Sequence, residues 1–130
     1  MSNLVFKRYF VVSGRGLSSL SPLNAFDRAL LNAGIAQCNI VPVSSIIPPE
    51  SEEVEFVNIP PGTVTFVVMA RCDGKSGDLI GAGLAWAKTN GEYGFVAEDY
   101  GFKDEETLTS NLKSKIKDMA EARGFKLKKV

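Results

Sequence analysis

Apolar and polar positions along this chain alternate between strand-like and helix-like spacing. Residues 5–12 (VFKRYFVV) are β-branched and aromatic and read as a strand, and the glycine- and serine-rich residues 13–21 read as a loop. Ser21-Pro22 then pairs a hydroxyl N-cap with a proline at the first helical position. Leu23, Phe26, Leu30 and Leu31 keep helical spacing until Gly34 closes the helix. Residues 39–43 read as a short strand, which Pro42 confines to an edge or a bulge. After a loop opened by Pro48 and Pro49, residues 63–71 form a strand apolar on both faces and therefore expected to be buried. Residues 79–88 and 93–98 flank Asn90-Gly91, a strong hairpin signal. From Asp104 onward, Leu108, Leu112, Ile116 and Met119 line one helical face, Lys113, Lys115 and Lys117 lie mostly off it, and Gly124 ends the helix. Residues 125–130 supply a last short strand. One helix before the strands and one after them predict an α+β class, with helices covering a mainly antiparallel sheet.

At 130 residues the chain is expected to be a single domain with one core, and 45% hydrophobic against 23% charged residues is ordinary globular composition. Fifteen basic residues balance fifteen acidic ones, so nothing attracts a phosphate backbone or an anionic bilayer in general. Neither nucleic acid nor membrane is expected as a partner. The absence of histidine excludes Ser-His and Cys-His catalysis and His-ligated zinc. Cys38 and Cys72 form no CxxC pair and read as reduced core residues; Lys7 and Arg8 interrupt the N-terminal apolar stretch, and the longest uncharged apolar run, residues 79–87, is too short to span a bilayer. A cytoplasmic chain is expected.

Several residues are candidates for chemistry. Gly14-Arg15-Gly16 follows a strand, as a dinucleotide-binding turn does, but the third glycine and the acidic residue further on are missing, which favours a flexible surface loop. The acidic residues 50–55 read as a solvated loop rather than a metal site. Asp27 follows Leu23 by four residues and precedes Leu30 by three, which sets an acid on an apolar helical face. It either points out at the edge of the stripe or is partly buried opposite a cation, as a structural pair with a neighbouring Arg or in a pocket for a cationic ligand. Glu98 shares a strand face with Val96 and Tyr100. Facing apolar neighbours, it would resist ionising and suit general-acid work; turned to water, it is an ordinary strand-end acid. Ser44 and Ser45 interrupt an apolar β-type run just before two prolines, where hydroxyls commonly satisfy local backbone groups.

Taken together, residues 22–27 (PLNAFD), 29–35 (ALLNAGI), Asn39, residues 44–49 (SSIIPP) and residues 95–98 (FVAE) closely resemble the pyruvoyl-dependent arginine decarboxylases over residues 5–124. The resemblance implies a cofactor made from the chain itself. In this family the second serine's hydroxyl attacks the preceding carbonyl to give an ester. β-Elimination then cuts the chain, and the resulting dehydroalanine hydrolyses to an N-terminal pyruvoyl group. Carried over, the cut falls between Ser44 and Ser45, leaving residues 1–44 as the β chain and residues 45–130 as the α chain, with Asn39 holding or polarising the scissile region.

The pyruvoyl ketone condenses with the substrate amine as a Schiff base and accepts electrons as carbon dioxide leaves, so no histidine is required. Glu98 would then return a proton to the α-carbon. Asp27 would bind the guanidinium of L-arginine through paired charge-assisted hydrogen bonds, with Leu23 and Leu30 flanking the aliphatic stem. The family fold is a four-layer αββα sandwich assembling as a homotrimer with active sites between protomers. Two departures stand out. The loop before Ser21 lacks the family's acidic Gly-Glu character, and members usually continue past the position of Val130 with another apolar strand-forming segment that bears on completion of the sheet and on stability. Two other readings keep part of the pattern: a decarboxylase of another amino acid such as lysine or histidine, and a non-processing homologue serving as an oligomeric binding or structural subunit.

Overall fold

A computed structural model describes residues 3–130. It contains two helices, a four-stranded antiparallel sheet and two small parallel strand pairs, in agreement with the expected α+β class. Two compact units divide it: the chain up to Pro42 with Ser51–Val67, and Val43–Glu50 with Val68–Val130.

The first unit contains α1 (Pro22–Ala33) and two strand pairs. The helix's start and stop follow the sequence signals: the Ser21 side chain accepts a hydrogen bond from the Asn24 N–H at 3.0 Å, and Gly34 takes a left-handed φ of 85° at the C-cap. In the same unit, β1 (Arg8–Tyr9) pairs in parallel with β4 (Glu52–Glu53), and β2 (Asn39–Pro42) pairs in parallel with β5 (Val64–Val67). Regular strand structure therefore covers only two of residues 5–12, because β4 offers a partner only there. Of residues 63–71, only β5 is regular strand. Val64 and Phe66 are 59% and 41% exposed, contrary to the expected burial, since a two-stranded sheet leaves them without a facing layer in this unit.

The loop at Gly14–Gly16 is a loop, as expected, but it is tied to α1. A Cβ on Gly14 would meet the Ala29 carbonyl oxygen at 2.2 Å, and one on Gly16 would meet that of Ala25 at 2.4 Å. Arg15 N–H donates to Asn32 Oδ1 at 3.0 Å, and Arg28 Nη1 donates to the Leu17 carbonyl at 2.7 Å. Those glycines serve close backbone approach rather than a phosphate.

The second unit carries a sheet in the order β3-β7-β6-β8, all antiparallel, from β3 (Ile46–Ile47), β6 (Gly81–Thr89), β7 (Gly94–Gly101) and β8 (Leu127–Lys129). The hairpin joining β6 and β7 sits where Asn90-Gly91 predicts it. Helix α2 (Glu105–Arg123) covers one face: Leu112, Ile116 and Ala120 pack on Ala87, Phe95 and Ala97, and Phe95 and Ile116 are at most 1% exposed. Asp104 caps α2 by accepting from the Thr107 N–H at 2.8 Å, and its hydrogen bonds with Thr107 hold its carboxyl below the usual range. The opposite sheet face pairs Trp86 with Val96, Leu84 with Glu98 and Ala82 with Tyr100. Both cysteines are free thiols, as expected, but only half-buried and outside the buried core.

Candidate active site

β3 is only two residues long, so it covers the edge of β7 only around Gly94 and Phe95. Just before β3 the chain bends at Ser45, whose carbonyl accepts the Val96 N–H at 2.8 Å. Beyond that bond the edge of β7 opens into a shallow cavity of about 380 Å³. Ser44, Ser45, Val96 and Glu98 line it together with Lys115, Asp118 and Met119 of α2. The Ser-Ser pair and the glutamate, 53 residues apart in sequence, thus meet within a single unit.

Glu98 shares its strand face with Val96 and Tyr100, as the alternation predicts. Its side chain is exposed, and its carboxylate has no hydrogen-bond or ion-pair partner among the described residues. The apolar enclosure expected around it is therefore not supplied by this unit. Ser45 is half-buried and Ser44 exposed. On the helix-facing side, the next residue, Asp99, is 6% exposed and accepts from Lys103 Nζ at 3.1 Å, Asn111 Nδ2 at 3.0 Å and Lys115 Nζ at 3.1 Å. Asn111 foremost, then the two lysines, hold its carboxyl well below the ordinary range against the opposing effect of burial.

Leu23, Asp27, Leu30 and Asn39 belong to the first unit. Asp27 is exposed on α1, with Leu23 71% exposed and Leu30 half-buried, and it has no ion-pair partner among the described residues. Of the readings open for Asp27, pairing with a neighbouring Arg is not seen: Arg28 reaches the Leu17 carbonyl instead, and Asp27 points outward. Asn39 donates from Nδ2 to the Gly62 carbonyl at 2.9 Å. Among the described residues, no cluster of Cys, Asp and Glu has the arrangement to hold a metal ion, and no helix is long and apolar enough to cross a membrane.

Lys115, Asp118 and Met119 were not legible as cavity residues. Lys115 falls off the apolar face, where a lysine reads as solvated surface, and only the tertiary fold brings its long stem to the strand edge.

A sequence model of the pyruvoyl-dependent arginine decarboxylases (PvlArgDC) matches residues 8–129. The chain belongs to this family. A pyruvoyl-dependent arginine decarboxylase of Methanopyrus kandleri is 37% identical over 124 residues, which cover 95% of this chain and 81% of the relative. The protein of the same name from Methanothermobacter thermautotrophicus is 37% identical over 83% of this chain and 72% of its own length. That from Methanococcus aeolicus is 30% identical, covering 92% and 74% respectively. The family implies a covalently bound pyruvoyl group. The residues present fit one: Ser45 follows a serine, its carbonyl is already held by the Val96 N–H, and Glu98, Lys115 and Asp118 line the cavity beside it.

Proposed function

We propose that this chain decarboxylates L-arginine to agmatine and carbon dioxide, using a pyruvoyl group that it makes from Ser45 by cutting itself after Ser44. Membership of the family gives the reaction, and one observation carries the assignment of residues: the Ser44–Ser45 peptide and Glu98 share one cavity. When present, the pyruvoyl group supplies the electron sink that lets carbon dioxide leave. Other tasks fall to the chain. Val96 N–H holds the carbonyl of residue 45 and so fixes the orientation of whatever stands at that position. Glu98, unpaired and at the cavity wall, returns the proton to the substrate carbon. Asp27, unpaired on a helix face between two leucines, receives the guanidinium through two parallel charge-assisted hydrogen bonds, while Leu23 and Leu30 take its methylene stem. Asn39 orients the scissile segment during self-cleavage.

These assignments belong with a single processed domain, residues 1–44 and 45–130, in a four-layer αββα sandwich assembled as a cytoplasmic homotrimer. Exposed apolar groups support assembly, among them Tyr100 at 57% and Phe102 at 71%; burying them and Glu98 together would give the acid its apolar surroundings. Incubation of purified protein with carboxyl-labelled L-arginine tests the reading. Labelled carbon dioxide and agmatine in equal amounts are expected, whereas turnover of lysine or histidine in preference to arginine overturns the substrate assignment. Release of carbon dioxide by a Ser45→Ala chain overturns the assignment of the cofactor.

A further inference from the structure

We infer that Lys115 is a positioning residue for the decarboxylation step, fixing the main chain that carries Glu98. The inference rests on Glu98 as proton donor. Lys115 Nζ donates to the Glu98 main-chain carbonyl at 2.7 Å and to Asp99 Oδ1 at 3.1 Å. It therefore grips two successive residues of β7 from α2, at the edge where β3 has ended and β6 alone pairs with this stretch of the strand. A strand held from one side only is less restrained than one held from both, and a shift at Glu98 moves its carboxyl relative to position 45.

The grip is itself anchored. Asp99 is 6% exposed and is also held by Lys103 and Asn111, so its carboxylate is a fixed point rather than a solvated one. Burial of Asp99 on the helix side and exposure of Glu98 on the other follow from strand alternation. One lysine can thus tie the backbone of the acid while leaving its carboxyl unpaired. Lys103 gives an internal comparison, since it binds the same Asp99 carboxylate at 3.1 Å with no bond to Glu98.

Lys115→Met, Lys115→Arg and Lys103→Met variants test this, with turnover expressed per cut chain and thermal melting followed in parallel. Lys115 is 48% exposed, so its replacement leaves the core intact. A displacement of about 1 Å at the reacting centre costs about 100-fold, so K115M is expected to lower kcat by about 10- to 100-fold with KM for arginine nearly unchanged. K115R, whose guanidinium reaches both acceptors, restores most of kcat. K103M lowers the melting temperature and costs far less in kcat than K115M. Equal kcat in K115M and the wild type overturns the inference, and so does an equal loss in K115M and K103M, which would mark the Asp99 cluster as merely structural. If K115M does not fold, K115Q, too short to span both acceptors, carries the same expectation. A wild-type chain without turnover would instead overturn the decarboxylase reading itself.

Discussion

Replacing Ile116 by alanine removes three carbons from the best-buried position of α2, where the side chain is 1% exposed among Ala87, Phe95, Ala97, Leu112 and Ala120. Lost transfer free energy, at about 0.8 kcal/mol per methylene, gives about 2.4 kcal/mol. The cavity left under a helix braced against a sheet adds about 1 kcal/mol, for a total of about 3 to 4 kcal/mol. With an unfolding entropy of about 2.1 cal/mol/K per residue, a 130-residue chain should melt about 11–15 °C lower. Urea unfolding is the cleaner assay, made in an uncut Ser45→Ala background so that one chain unfolds in one step. Leu31→Ala, at a position 62% exposed, serves as the control and should cost less than about 1 kcal/mol. A loss below about 1 kcal/mol for I116A would mean that α2 is not seated on β6 and β7 as described. The cavity wall contributed by Lys115, Asp118 and Met119 would then have no fixed place.

Three further outcomes are expected. Asp27→Asn should raise KM for arginine about 10- to 100-fold while self-cleavage proceeds, because charge-assisted hydrogen bonds contribute about 1.5–3 kcal/mol each; an unchanged KM would refute guanidinium binding there. In cut chains, Glu98→Gln should lower kcat by about 10²- to 10⁴-fold, the range for a lost general acid, and full activity would remove Glu98 from the reaction. Asp99 is depressed in the folded state, so its stabilisation is complete above the unfolded carboxylate pKa and is lost as the pH falls below about 4. The stability of the wild type should therefore decline more steeply with acid than that of Asp99→Asn, as urea midpoints across that range would report; parallel slopes would contradict it.

What could be read from the sequence was local chemistry. Both helices begin and end at their capping residues, Ser21 and Gly34 for one, Asp104 and Gly124 for the other, because a cap acts within a few residues of itself. Asn90-Gly91 marked its hairpin for the same reason. Strands near residues 5–12 and 63–71 were overextended because apolar composition does not say where a partner strand stops. Strand alternation marked Glu98 as a candidate acid and the apolar run marked Ser44 and Ser45, but only resemblance joined them, since no spacing rule does. Lys115 was hidden for a physical reason: its helical position reads as solvent-facing, and only the ended β3 exposes the carbonyl it reaches.

The most direct test is the intact mass of the purified protein after incubation at neutral pH. Two fragments are expected, residues 1–44 and 45–130, the larger with no free α-amine and lighter by one ammonia than a serine terminus would make it. A single uncut chain of 14.1 kDa, or a larger fragment that still begins with an amine-bearing serine, would contradict the account at its root.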